Sequence, residues 1–247
     1  MSAFFYDGSF EGLLTAVKVA LAKGAEVADI LSEGGGDGLL FGGTPVAADE
    51  QEARRLLTDF HALAGKRGLR LLLLIFLADS APRERLIGEY IRLTLDQGQD
   101  VGGWLTHPLV AEAARMGRRV AHEVHRFSGL LRFRHLADGS YYAPFAPDHN
   151  IAAALAPHFA RRLGRERWLI HDRRRGLGIF WDGREFVPAI LETDMENLEV
   201  SDKENFFQEC WRNYHRAIVV KDRLNPVLQR RFMPIRYWPY LTELNRI

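Results

Sequence analysis

Near residue 128 this chain changes its hydrophobic period, and the change limits the folds open to it. Before that point, helix-length patterns follow one another. Ser9 stands where it can cap a helix reaching residue 22, and Asp49 where it can cap one through residue 64. Ser80-Ala81-Pro82 opens a helix to about residue 97 with Pro in its first turn, and Pro108 opens another ending near residue 127. Beyond 128, residues 130–136 and 140–145 read as two strands joined by an Ala137-Asp138-Gly139 turn. Asp148 or Asn150 is placed to cap a helix through residue 163. Residues 167–171 and 176–181 then form a second strand pair, joined through Asp172-Arg173-Arg174-Arg175. The order strand, strand, helix, strand, strand predicts an antiparallel sheet with helices on one face. The expected class is α+β. A helical N-terminal half, 1–127, precedes an α+β half, 128–247, that ends in helices, and both belong to a single compact unit.

Several segments are less determined. Residues 71–78 are apolar throughout and fit either a strand or a buried helix. The glycines at 34–36, 38, 42 and 43 follow no strand and end in no GK[ST], so they read as a flexible loop and not as a phosphate cradle. Residues 192–204 are acidic and are expected at the surface, leading into a helix over 203–219. Phe207, Trp211, Tyr214 and Ile218 share one face of that helix and are expected in the core, with Cys210 inert beside them. Asn225-Pro226 reads as a helix cap followed by the first helical residue, and Pro234 as the start of a last short helix.

Composition narrows the classes. With 47% hydrophobic residues the chain can bury a core. Its richest apolar run, 71–78, is far shorter than the roughly 20 residues that span a bilayer. No basic segment followed by an apolar one opens the chain, so no secretory signal is expected. Cys210 is the single cysteine, which excludes an internal disulfide and any multi-cysteine metal or iron–sulfur site. A cytoplasmic location follows as the expectation, with no membrane partner and no cofactor.

The net charge of +1 hides an asymmetry. Residues 1–116 hold 11 Lys+Arg against 16 Asp+Glu, and residues 117–247 hold 22 against 16. Within the second half, 118–175 has 12 basic and 5 acidic residues, 182–204 has 2 and 8, and 205–247 has 8 and 3. Two basic blocks flank an acidic segment, the expected footprint of a phosphate-binding surface. Only 5 of the 33 basic residues are Lys, and Arg suits bidentate phosphate contacts.

The polar candidates lie in these blocks. His122-Glu123-Val124-His125 spaces its histidines three apart, not four as in the HExxH zinc motif, and no third ligand stands nearby, so no metal is expected. His125 is the better candidate for a specific role. Asp148-His149-Asn150 sits at a helix start, where the side chains can cap and the free amides can hold a phosphate beside His149. His158 and Arg162, four apart, can share the face of that helix. His171-Asp172 suggests a general acid/base pair, although adjacent strand residues point to opposite faces. Arg132, Arg161, Arg162, Arg173, Arg174, Arg175 and Arg236 are the candidates for nucleic-acid contact. Tyr237 and Trp238 are the candidates for stacking a base or meeting a partner. The other reading of the tail is a hydrophobic clamp in which Trp238 is largely buried.

From Trp211 to Glu243 the chain reads WRNYHRAIVVKDRLNPVLQRRFMPIRYWPYLTE. Upstream stand Tyr6-Asp7-Gly8-Ser9-Phe10-Glu11-Gly12, His125-Arg126, Leu131-Arg132-Phe133, Pro147-Asp148-His149-Asn150-Ile151, His158-Phe159-Ala160-Arg161-Arg162 and Trp168-Leu169-Ile170-His171-Asp172. This ordered set resembles a bacterial domain-of-unknown-function family associated with DNA metabolism and DNA repair. Members are typically encoded beside a radical-SAM DNA repair protein, and some are fused to a uracil-DNA-glycosylase-like domain. The resemblance therefore implies DNA, a radical-SAM protein and a uracil-DNA-glycosylase-like protein as partners. It carries over no catalytic residue.

Three functions follow as expectations. The first is a DNA repair or DNA metabolism accessory protein that binds nucleic acid through an Arg-rich surface and works with the radical-SAM partner. The second is an enzyme acting on damaged or modified nucleobases, with His125, His149, His171 and Asp172 as its polar groups. The third is a pure interaction module. Convergence of those four residues in one concavity distinguishes the second from the others.

Overall fold

A computed structural model describes residues 3–25, 30–32, 43–80, 82–191 and 198–244. It contains two compact units, Met1–Ala121 and His122–Ile247. The mixture of helix and strand is as the sequence predicts, with helices dominating the N-terminal half and a sheet followed by helices in the C-terminal half. Most of the Gly-rich stretch and residues 192–197 of the acidic segment lie outside the described residues.

In the first unit, strand β1 (Phe4–Tyr6) leads into helix α1 (Phe10–Ala22). Ser9 caps α1 as expected, its hydroxyl accepting from the Gly12 amide at 2.9 Å. Strands β2 (Ile30–Ser32) and β3 (Thr44–Pro45) flank β1 in a three-stranded parallel sheet. The sequence pattern did not predict this sheet, because strands of two and three residues are too short to show a period of two. Helix α2 (Glu50–Phe76) is capped by Asp49, whose carboxylate accepts from the Gln51 and Glu52 amides. Gly65, at φ 60° and ψ −168°, breaks it into two segments, a conformation that a Cβ would oppose. The ambiguous stretch 71–78 is therefore helical through Phe76. Helix α3 (Arg83–Gln97) follows, and α4 (Pro108–Leu130) starts in the first unit and ends in the second.

The second unit is built on a five-stranded sheet in the order β4-β5-β6-β7-β8. The strands are β4 (Arg134–His135), β5 (Tyr141–Phe145), β6 (Trp168–Asp172), β7 (Leu177–Trp181) and β8 (Phe186–Ile190). Both expected turns form. Asp138 accepts from the Ser140 amide and hydroxyl, with Gly139 at φ 80°, and Asp172 accepts from the Arg174 and Arg175 amides, with Gly176 at φ 63°. Three expectations need correction. The first strand shrinks to two residues because α4 runs on to Leu130. The sheet is not wholly antiparallel, since β5 and β6 pair in parallel across helix α5 (Ala152–Leu163). Such a pairing needs a crossover connection, and α5 supplies it. Strand β8 was also missed.

The last helices are α6 (Asp202–Ile218) and α7 (Pro226–Phe232), with a 3₁₀ turn at Ile235–Tyr240. Asn225 caps α7 through the Leu228 amide at 2.9 Å, with Pro226 in its first turn, as read from the sequence. The expected core face of α6 is exposed instead. Phe207, Trp211, Tyr214 and Ile218 are all solvent-facing, and so is Cys210. Among the described residues no helix is long and apolar enough to cross a membrane.

Candidate functional site

Strand alternation gives the C-terminal sheet two different faces. The β5–β6 register aligns Ala143 with Ile170 and Phe145 with Asp172, and puts Tyr142, Pro144, Leu169 and His171 on the opposite side. Arg134, opposite Tyr142 across β4 and β5, joins that second side. The first face is a packed core. Phe127 of α4 meets Phe145 edge-on at 5.0 Å, and Phe133 bridges Phe159 of α5 and Trp168 at 4.9 and 6.1 Å. The second face holds a cavity of about 280 Å³, lined by Arg134, Tyr142, Pro144, Arg173, Pro239 and Tyr240 together with Leu136, Leu198 and Val200.

Behind the cavity wall, the Tyr142 hydroxyl lies 2.7 Å from His171 Nδ1, and both residues are buried. Burial, reinforced by the Arg173 cation, pushes the His171 pKa below its ordinary value and favours the neutral ring. Its Nε2 is buried and has no hydrogen-bond partner among the described residues. A buried imidazole with one nitrogen engaged and the other unsatisfied can relay a proton or accept a ligand contact. Among the described residues, no carboxylate pairs with the Arg134 side chain.

The Asp148-His149-Asn150 segment is held by a different device from the one the sequence suggested. Neither Asp148 nor Asn150 caps α5, which starts after Ile151 without a side-chain cap. The buried Glu123 carboxylate of α4 accepts instead from the Asp148 amide at 2.8 Å and the His149 amide at 2.9 Å. The Tyr237 hydroxyl donates to the same carboxylate at 2.7 Å. Arg175 holds the carbonyl side of this turn, donating to Pro147 O at 3.3 Å and Asp148 O at 2.7 Å while pairing with Asp172 at 2.6 Å. Arg236 closes the outside by pairing with the Asp148 carboxylate and lying over the Tyr237 ring at 4.9 Å. Burial raises the Asp172 pKa by more than Arg175 and the Arg174 and Arg175 amides lower it. Burial, then the hydrogen bond to Glu123, pushes the Tyr237 hydroxyl well above its usual range.

The four catalytic candidates do not meet. His171 stands on the cavity face, while Asp172 faces the packed side and serves Arg175. His149 belongs to the clamped turn. His125, with His122, is exposed and lines a separate groove with Arg126, Arg231 and Phe232. No group of three His, Cys, Asp or Glu among the described residues could hold a metal ion.

The arginines divide in a similar way. Arg132 forms a two-pronged pair with Glu243 at 3.1 and 2.5 Å and lies 5.5 Å from the Trp211 ring centre. Burial would raise Glu243, but Arg132 and the Trp211 N–H, donating at 3.0 Å, hold it below the usual carboxylate value. Arg161 and Arg162 are exposed, Arg174 is exposed in the β6–β7 turn, and Arg173 lines the cavity. In the tail, Tyr237 is buried and so belongs to the core and not to a stacking surface. Trp238 is mostly covered without being fully buried, its N–H donating to Met233 O at 2.9 Å, in line with the expectation that it is largely buried.

Sequence reading missed Glu123, Tyr142 and Arg134. Glu123 was hidden between two more conspicuous histidines. The other two become visible only once the strand register is known.

No curated protein and no solved structure matches the chain. The family model for DUF4130, a domain of unknown function, matches residues 81–243, which takes in the whole C-terminal sheet and nearly all of the tail. The chain belongs to the DUF4130 family.

Proposed function

We propose that this protein is a DNA repair or DNA metabolism accessory protein that binds nucleic acid through its C-terminal unit. The observation that carries the reading is the cavity on the sheet, where Arg134 and Arg173 stand with Tyr142 and Tyr240. Guanidinium groups for phosphate beside aromatic rings for bases are the usual means of receiving single-stranded or unstacked nucleotides. Arg161 and Arg162, exposed at the end of α5, belong to the helix that covers the opposite face of the sheet. The DNA context comes from the family resemblance, which also suggests a radical-SAM protein as partner. The exposed aromatic face of α6, flanked by Arg212 and Arg216, has the residue types enriched where proteins meet and is the surface proposed for that partner.

An enzymatic reading is favoured by one feature, the short Tyr142–His171 hydrogen bond at the cavity wall, a phenol–imidazole pair able to move a proton. Fluorescence anisotropy with single-stranded and duplex oligonucleotides over a salt series tests the binding function. Each phosphate neutralised adds about 0.7 (single strand) or 0.9 (duplex) to the log–log salt slope. Arg134→Ala is expected to flatten the slope by about 0.7 to 0.9. Absence of salt-dependent binding to any oligonucleotide overturns the proposal.

A further inference from the structure

We propose that the groove between helices α4 and α7 seats one unpaired nucleotide, its base stacked on Phe232 and its phosphate held by Arg126 and Arg231. The inference rests on the nucleic-acid reading above and adds to it a second contact, separate from the sheet cavity.

Helix spacing builds the first wall. His122, His125 and Arg126 stand at positions i, i+3 and i+4 of α4 and so share one face. Glu123 and Phe127, one position further on, turn inward and are buried. The second wall comes from the end of α7, where Arg231 and Phe232 are exposed. Phe232 keeps 59% of its surface open, so its ring is available to a ligand.

The two walls are tied to each other. The Tyr237 hydroxyl donates to the Glu123 carboxylate at 2.7 Å, and the Tyr237 ring centre lies 4.6 Å from that of Phe127. Trp238 donates its N–H to Met233 O at 2.9 Å, which holds the residue that follows Phe232. The groove is therefore preformed, and a ligand meets it without first ordering the tail.

Size and chemistry name the ligand. The groove measures about 410 Å³, within the roughly 300–1,000 Å³ of small-ligand pockets. A docked peptide helix would instead need a longer trough with anchors at successive turns. Arg126 donates through Nε to the His122 carbonyl of its own helix at 3.4 Å, which leaves its terminal nitrogens for a ligand. Among the described residues Arg231, His122 and His125 hold no ion pair. Guanidinium groups grip phosphate oxygens, and Phe and His rings are platforms on which unstacked bases lie. Bases inside a duplex are already stacked on each other and cannot reach Phe232.

The test uses the intact chain, a single-stranded oligonucleotide and the same strand in a duplex, read by fluorescence anisotropy over a salt series. Polyglutamate serves as an anionic competitor without bases. Phe232→Ala is expected to weaken single-strand binding about fivefold or more without changing its salt slope, and to leave duplex binding as it was. Phe232→Trp should retain the single-strand affinity. Arg126→Ala/Arg231→Ala should flatten the single-strand slope by about 0.7, the value for one phosphate. Thermal melting confirms that each variant folds. Either an unchanged single-strand affinity in Phe232→Ala or an unchanged slope in the double variant overturns the groove site. A slope still flattened by Arg134→Ala then leaves the nucleic-acid reading standing. Equal weakening of single-strand and duplex binding by Phe232→Ala overturns the stacking assignment. Competition by polyglutamate as strong as by unlabelled strand overturns the nucleotide assignment. Absence of binding to any oligonucleotide removes both the site and the reading it rests on.

Discussion

The two faces of the C-terminal sheet are made by the same strands, yet alternate residues commit them to opposite tasks. On one face Ala143, Phe145, Trp168 and Ile170 are fully buried under Phe127 and Phe159. On the other, Arg134 and Tyr142, the latter backed by His171, line a cavity that Arg173 and Tyr240 complete. One-residue alternation thus separates stability from recognition within β5 and β6. A substitution on the first face should cost folding free energy, and a substitution on the cavity rim should cost ligand affinity.

The largest expected effect lies on the packed face. Phe159→Ala should destabilise the second unit by about 3–5 kcal/mol, the usual cost of removing a buried aromatic ring, as read by chemical denaturation. A loss under about 1 kcal/mol would show that this face is not the core. Next comes Glu123, which supports the turn beside the sheet. Glu123→Gln keeps the shape but turns an acceptor oxygen into an amide that clashes with a donor, and about 1–3 kcal/mol should be lost.

A smaller effect, dependent on pH, should come from the cavity face. The folded-state pKa of His171 is depressed by burial and by Arg173. Above the ordinary imidazole pKa of about 6.5 both states are neutral and His171 carries no penalty. As pH falls from there towards the lower folded value, the unfolded chain binds more protons and stability declines. Urea midpoints measured across that window should show the decline, and His171→Asn should make it shallower. The smallest effect should come from His125→Ala, within about 0.5 kcal/mol, because His125 is exposed where its neighbour Glu123 is buried. Similar losses for Glu123→Gln and His125→Ala would break the proposed hierarchy.

Helices α5 and α6 show how far the sequence could be read. Both carry an apolar face at helical spacing. In α5 that face, Leu155, Ala156 and Phe159, is buried. In α6 the equivalent face is exposed, and Glu204 is its single buried residue, accepting from the His135 amide at 2.9 Å. Periodicity identifies a face but does not say what covers it. Caps and turns were legible because Ser9, Asp49, Asp138, Asp172 and Asn225 act on amides two or three residues away. The parallel β5–β6 pairing was not legible, since it joins residues 27 positions apart. The candidate site suffered from the same limit. His171 was visible in the sequence, but its partner Tyr142 and the cavity's Arg134 depend on register. Glu123 likewise acts on residues 25, 26 and 114 positions away.

The central claim, that the cavity face receives nucleic acid while the packed face only supports it, is tested most directly by amide hydrogen exchange on the intact chain with and without a saturating single-stranded oligonucleotide. The account predicts new protection concentrated in residues 134–142, 171–175 and 237–241, with residues 152–159 of α5 unchanged. Protection absent from those three segments, with the oligonucleotide demonstrably bound, would contradict it.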